Sequence, residues 1–296
     1  MTEYHYHLVD VFTTQRFGGN PLAVFPQAAG MNDTLMQQIA KELNLSETTF
    51  VLPPTDETCD HHVRIFTPAR ELPMAGHPTV GTAYLLHHIG KLDAPGTVTF
   101  QEGVGPVPVA LALDDTQQLV ATMSQPMPDF GKIYDNRAAI AAMLSITEAD
   151  LLPDFPIQIV STGVPFLFVP VKDLATIKRV SLRYDLWESL LKAHSLDVFV
   201  FTTETVHQTS VAHSRMFAPS MNIAEDPATG AASGLLGAYL VQYGMVQSGE
   251  FTGEQGFEMG RASLINIGID HDGEKFTGVR IGGNSVYVGR GTIVLD

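Results

Sequence analysis

Basic side chains are scarce in this chain of 296 residues: 17 Lys and Arg stand against 32 Asp and Glu, a formal net charge of −15, and no run of Lys or Arg occurs. Binding to nucleic acid or to an anionic membrane surface depends on a concentrated positive field, so neither partner is expected. Cysteine is almost missing. Cys59 stands alone and cannot form an internal disulfide, so the fold must rest on packing and suits a reducing, cytoplasmic setting. The opening MTEYHYHLVDVFTT lacks a basic stretch followed by an apolar one, so no secretory signal is read there. The most apolar segment, 227 to 243, is about 17 residues long, at the lower limit for a membrane span, and contains Gly230, Gly234 and Gly237. A buried helix fits it better, because a segment apolar all round but rich in Gly and Ala can be enclosed by a sheet.

Cofactor and metal motifs are also missing. Neither GxGxxG nor GxxxxGK[ST] occurs, nor HExxH or CxxC, and the adjacent pairs His61 and His62, His87 and His88 point to different faces rather than to one metal. No metal such as zinc and no bound nucleotide is expected. Charged residues make up only 17% of the chain, below the roughly 25% of an average soluble domain. Hydrophobic residues reach 45%, enough for a large core. The length suggests two domains.

What is present is a succession of strand-like runs and a few helices. His5 to Thr13 and Leu22 to Phe25 read as strands around a glycine turn at 18 to 20. Helical spacing covers Asn32 to Leu43, with Asp33 as its cap, and Pro78 to Gly90 reads as a second helix. Thr97 to Phe100, Val107 to Leu113 and Leu119 to Met123 form an expected antiparallel meander. Pro126, Pro128 and Asp129 then mark a linker, and an Ala-rich helix spans about Arg137 to Leu144.

The second half repeats the first. NPLAVFP (20–26) resembles VPFLFVP (164–170), LSETTFVLP (45–53) resembles LDVFVFTTE (196–204), RIFTP (64–68) resembles RMFAP (215–219), and GHPTVG (76–81) resembles EDPATG (225–230). The offsets are 144, 151, 151 and 149 residues. Four matches in one order at nearly constant offset indicate a duplicated domain, with a ligand site expected in the cleft between the halves.

The last matched pair carries chemistry. His77 and Asp226 each precede a proline that opens an apolar helix, so both are expected at helix N-caps, with Gly76, Gly81 and Gly230 letting backbone approach a ligand. Two such helix starts present backbone N–H groups and positive dipole ends, which suits a small carboxylate. Asp226 could equally be no more than a good cap, worth roughly 0.5–2 kcal/mol. His77 is a poorer cap than Asp, which favours a functional role for it. Glu47 sits at the mouth of an apolar strand, where burial would raise its pKa and make it an acid or base near neutrality, although many strand-end glutamates are simply solvated.

Taken together, VDVFTTQRFGGNPLAVF (9–25), LSETTFVLP (45–53), RIFTPARELPMAGHPTVGTA (64–83) and RMFAPSMNIAEDPATGAASGLLGAYL (215–240) resemble the PhzF-like, phenazine-biosynthesis family, in family order over nearly the whole chain. The resemblance implies an α+β fold like that of diaminopimelate epimerase: two pseudo-symmetric domains, each a sheet wrapped around a central helix. The first would be residues 1–126 with Glu47 and His77, the second 127–280 with Asp226, and the strand near 281–296 would pack back on the first. It further implies a cofactor-independent enzyme, commonly a homodimer, that isomerises trans-2,3-dihydro-3-hydroxyanthranilate. In that reaction the residue matching Glu47 moves a proton between ring carbons, assisted by those matching His77 and Asp226. Asn20, Gly76, Gly230 and Ala231 would bind the small carboxylate substrate.

Related racemases use two cysteines beside their central helices. Cys59 lies elsewhere, so that chemistry is disfavoured. The family's second motif often reads DPATGSA, whereas this chain has Ala231 and so lacks one hydroxyl. An epimerase or lyase on the same scaffold, or a carboxylate-binding protein without catalysis, remain the alternatives.

Overall fold

A computed structural model describes residues 1–295. Through Gln125 the elements are β1 (Thr2–Val11), β2 (Asn20–Phe25), α1 (Asp33–Leu43), β3 (Glu47–Leu52), β4 (His61–Phe66), the short β5 (Glu71–Leu72), α2 (Gly76–His88), β6 (Gly96–Glu102), β7 (Gly105–Leu113) and β8 (Leu119–Gln125). Then follow β9 (Asp129–Ile133), α3 (Arg137–Met143), β10 (Gln158–Ser161), β11 (Pro165–Pro170), α4 (Leu174–Arg179), α5 (Tyr184–Leu190) and β12 (Asp197–Thr202). The chain ends with β13 (Ser210–Ala218), β14 (Ile223–Asp226), α6 (Gly230–Gln242), β15 (Gly249–Gln255), β16 (Ser263–His271) and β17 (Phe276–Leu295). Contacts divide it into two units: Met1–Ser124 with the stretch from Ile281 onward, and Gln125–Arg280. Among the described residues no helix is long and apolar enough to cross a membrane.

In the first unit β1 and β2 are antiparallel, β2 and β3 parallel, β3 and β4 antiparallel, and β4 and β6 parallel. The antiparallel meander β6–β7–β8 follows, and β17 pairs with both β8 and β1, which closes a barrel-like ring. Such a ring leaves no unpaired sheet edge. Along β7 the period of two is plain: Val107, Val109 and Leu111 are buried while Pro106, Pro108 and Ala110 are exposed.

Helix α1 buries Met36, Ile39 and Ala40 against Phe25, Phe50 and Phe66. Its N-cap is Asn32, whose side chain accepts from Leu35 N at 2.9 Å, rather than the expected Asp33. Asp33 instead occupies the first turn, where its charge complements the helix dipole.

Helix α2 is apolar all round and buried from Gly76 to Ala83. It packs on β1, β2, β3 and β7, and Thr82 shares a 2.9 Å hydroxyl contact with Thr49 of β3. A Cβ on Gly81 would lie 2.6 Å from Val11 and 2.7 Å from Leu22, so this glycine serves helix-on-strand packing and not the approach of a ligand, as its motif had suggested. The helix also begins earlier than the pre-proline rule predicts. Ala75 is its N-cap, so His77 is the second helical residue and not the cap. Pro78 at the third position is tolerated because the first amides of a helix have no intrahelical acceptor, and a missing N–H there costs no bond.

The second unit runs through the same series of pairings. β10 and β11 are antiparallel, β11 and β12 parallel, β12 and β13 antiparallel, β13 and β15 parallel, and β15 and β16 antiparallel. Strands β11 and β12 are covered on both faces. Phe166, Phe168, Phe199 and Phe201 pack with Leu235, Leu236 and Tyr239 of α6, while the alternate Leu167, Val169, Val198 and Val200 pack with Ile140, Ile177 and Trp187 of α3, α4 and α5. Near-continuous apolar runs are what doubly covered strands require.

Helix α6 starts at Gly230 with Thr229 as N-cap. Pro227 therefore lies outside it, and Asp226 ends β14 instead of capping the helix. Helix start to helix start, the two buried helices are offset by 230 − 76 = 154 residues, so the structural counterpart of Gly76-His77 is Gly230-Ala231 and not the 149-residue match to Glu225-Asp226.

Candidate active site

In the first unit three polar side chains meet in apolar surroundings. Asn20 opens β2 opposite Val11 of β1, Glu47 opens β3 opposite Leu22 of β2, and His77 comes from the first turn of α2. All three are buried, Asn20 completely, His77 with 4% and Glu47 with 8% of its surface exposed. Asn20 Nδ2 lies 3.2 Å from His77 Nδ1, and His77 Nε2 lies 3.2 Å from Glu47 Oε2.

Burial pushes the His77 imidazole down to about 3, so the ring is neutral at ordinary pH. With the Asn20 amide donating to Nδ1, the single ring hydrogen belongs on Nε2, facing the Glu47 carboxyl. That approach is off the line of a good hydrogen bond, so it sets the ring edge against the carboxyl without locking it. A carboxyl held beside a neutral N–H, in a place nearly free of water, can take a proton and give it back.

Gly76 and His77 supply the first backbone N–H groups of α2. No side chain caps them, because the N-cap is Ala75. Uncapped amides at a helix start attract anions.

In the second unit the DPATG segment is held rigid by its neighbours. Asp226 Oδ2 accepts from Thr229 Oγ1 at 2.6 Å. Gln255, at the end of β15, donates from Nε2 to the Asp226 carbonyl at 2.7 Å and accepts from Thr229 N at 3.0 Å. Ser263 Oγ donates to the Pro227 carbonyl at 2.9 Å. Since the Thr229 hydroxyl is turned toward Asp226, the helix start at Gly230 and Ala231 again has no side-chain cap.

Asn20, Glu47, His77 and Gly76 thus cluster within one unit, and Asp226, Gly230 and Ala231 within the other. Sequence reading passed over Thr229 and Gln255. Thr229 stands inside the quoted motif, but Gln255 is 29 residues from Asp226 and belongs to no motif, so only the fold brings it there. Cys59 lies in a polar stretch of sequence yet is buried. Among the described residues no group of three or more His, Cys, Asp or Glu is arranged to hold a metal ion.

Residues 9–291 match the sequence profile of phenazine biosynthesis-like proteins, PhzC-PhzF. A protein of Mesorhizobium japonicum known only as an isomerase is 35% identical, with all of both chains covered. The trans-2,3-dihydro-3-hydroxyanthranilate isomerase of Pseudomonas chlororaphis is 34% identical over 99% of this chain and 100% of its own. The crystal structure of a PhzF-family phenazine biosynthesis protein from Bacillus anthracis superposes with a TM-score of 0.92 at 29% identity, over the whole of both chains.

Proposed function

Because this chain belongs to the PhzC-PhzF family of phenazine biosynthesis-like proteins, we propose that it is an isomerase that moves a carbon-bound proton on a small carboxylate substrate, with Glu47 as the base that removes the proton and the acid that returns it. The observation that carries this reading is the Glu47 carboxyl 3.2 Å from a buried, neutral His77 whose ring Asn20 orients. Neutral His77 turns its N–H edge toward the carboxylate without adding a second charge. The proton leaves one carbon, rests on Glu47 and is delivered to another, so that a double bond shifts and nothing is oxidised or reduced. Acid–base side chains suffice for that step.

The amides of Gly76 and His77 grip the substrate carboxylate. Those of Gly230 and Ala231 form the matching helix start, and Asp226 assists the proton transfer. Underlying this is the finer reading of the fold: two pseudo-symmetric halves, each a ring of strands around its buried helix. The single cysteine suits a reducing, cytoplasmic setting, and a homodimer is the expected assembly.

Trans-2,3-dihydro-3-hydroxyanthranilate, the compound in the name of the Pseudomonas relatives, is the substrate to try first. In heavy water the product should carry solvent deuterium at one ring carbon in the fraction of turnovers in which the proton resting on Glu47 exchanges before it is delivered. Glu47→Gln should lower kcat by about 10²–10⁴-fold, the usual worth of general acid–base catalysis, while calorimetry still detects binding. A Gln variant with wild-type turnover would refute the mechanism.

A further inference from the structure

Glu102 is the last residue of β6, and its side chain reaches the first turn of α2. It is 4% exposed, and its Oε2 has no hydrogen-bond partner. Its Oε1 lies 2.6 Å from Thr79 Oγ1, and the same Thr79 oxygen lies 2.6 Å from the carbonyl oxygen of Ala75, the N-cap of α2. Two oxygen–oxygen contacts this short each need a hydrogen between them, since facing lone pairs repel. The hydroxyl has only one hydrogen to give. If it goes to the Ala75 carbonyl, the other must come from the Glu102 carboxyl. A charged Glu102 would moreover leave one oxygen of a buried carboxylate without any partner, which is costly.

The second unit provides an internal control. In the β4–β6 pairing His62 stands opposite Gln101, and in the β13–β15 pairing His213 stands opposite Glu254. One residue further along each strand come Glu102 and Gln255, each followed by glycine. Gln255 spans the start of α6, bonding the Asp226 carbonyl, the Thr229 amide and, at 3.1 Å, the Thr229 hydroxyl. The place that Glu102 fills in one unit is thus filled in the other by a neutral amide of the same shape.

We propose that Glu102 is a positioning residue that works as a neutral carboxyl, donating its proton to Thr79 Oγ1 and so fixing the first turn of α2, with Gly76 and His77, for proton transfer by Glu47. The functional half of this inference rests on the reaction proposed above; the protonation half does not. Burial holds the Glu102 carboxyl up, at about 8, with the Thr79 contact opposing this in part. The adjoining elements carry His77 on α2, His61 and His62 on β4, and Glu71 on β5. Burial keeps the three imidazoles low, Glu71 is paired with Arg64, and no charged side chain among the described residues acts on Glu102.

The sign of the pH effect follows. The ordinary glutamate value is 4.5 and the folded one about 8, so the folded protein holds a proton that the unfolded chain releases across that window. The stability that Glu102 contributes is complete below the window and is lost as pH rises through it. Glu102→Gln has no such proton, so the Tm of the Gln variant minus that of the wild type should widen from pH 5 to pH 8 and then level off. A constant difference across that range would overturn the protonation.

With trans-2,3-dihydro-3-hydroxyanthranilate, wild-type kcat/KM should fall about tenfold per pH unit above the value near 8, and Glu102→Gln should keep its neutral-pH rate beyond it. A widening Tm difference with the same alkaline fall in both proteins would overturn the positioning role and leave the base role of Glu47 untouched. If Glu47→Gln turns the compound over as fast as the wild type, the proposed reaction and the positioning role fall together, while the Tm difference still decides the protonation. Should the Gln variant not fold, an NMR titration of wild-type protein labelled with ¹³C at its glutamate carboxyls reads the same proton. One carboxyl must titrate far above the ordinary range, and its absence would refute the inference.

Discussion

Two strand openings, one in each unit, put an acidic side chain at the same place in the same local topology. Glu47 begins β3, opposite Leu22 of a parallel neighbour, and Asp197 begins β12, opposite Phe166 of a parallel neighbour. Their surroundings differ. Asp197 accepts from Ser220 N at 3.0 Å and from Ser220 Oγ at 2.7 Å, so both its oxygens fasten the turn after β13. Glu47 faces a neutral imidazole and keeps a small exposed edge. The same backbone position thus fastens a turn in one unit and faces a buried imidazole in the other. What separates them is one methylene and the identity of the facing group.

Other matched features diverge by degree. Arg64 and Arg215 each clasp a glutamate through two bonds, Glu71 and Glu225, and each lies about 5 Å from the phenylalanine two residues on, at 5.1 and 5.0 Å. The Arg64 pair is the wetter, with side chains 17% and 41% exposed against 9% and 17% for Arg215 and Glu225. Arg215 also donates to the carbonyls of Ile177 and Val180. His62 is half-buried and its pKa is lowered by burial. At its counterpart His213 burial also opposes the charge, but Glu254 at 2.8 Å and Glu258 at 3.1 Å outweigh it and hold the imidazole above its ordinary value.

These contrasts can be broken by experiment. Arg215→Met should cost about 3 kcal/mol of unfolding free energy, because it strands a partly buried carboxylate and two buried carbonyls, whereas Arg64→Met should cost about 1 kcal/mol or less. Equal losses in denaturant titrations would remove the claimed difference in burial. Asp197→Ala should cost about 1–3 kcal/mol through the unsatisfied Ser220 groups yet leave turnover intact. Turnover lost as in Glu47→Gln, with stability unchanged, would mean that the wrong acid has been assigned to catalysis.

The smallest effect concerns His213. Its raised folded pKa means that its contribution to stability is complete below about 6.5 and is lost as pH climbs through the folded value. His62, with its lowered value, should show the opposite slope. Denaturant midpoints between pH 6 and 9 for His213→Gln and His62→Gln would measure both, and the inference fails if the slope of His213→Gln is as steeply downward as that of the wild type.

Much of this was legible in the sequence. Apolar runs bounded by glycine and proline marked most strands, and the Gly- and Ala-rich segment at 227–243 announced a buried helix. The motifs around Glu47, His77 and Asp226 singled out candidate acid–base residues, of which the fold brings Glu47 and His77 within 3.2 Å of each other. The starts of the two buried helices were not legible. The pre-proline rule placed His77 and Asp226 at caps, but that local steric preference is weak beside the burial of an entire helix turn, and α2 continues through it. Gly81 looked like part of a ligand loop because a motif does not show which neighbour lies behind a glycine; Val11 and Leu22 do. Asn32 and Asp33 are both good caps in isolation, and only the direction of chain entry chooses between them.

By itself the amino-acid sequence determined the strand-rich class of this protein, its internal repetition and the chemical types at its candidate site positions, because these follow from local periodicity and side-chain identity. The tertiary structure alone decided which of two matched acids is fastened and which faces an imidazole, that Glu102 and Gln255 reach the starts of the two buried helices, and that the pKa of His213 is raised while that of His62 is lowered. Those outcomes depend on burial and on partners from distant segments, and desolvation acts only on groups that packing has already removed from water.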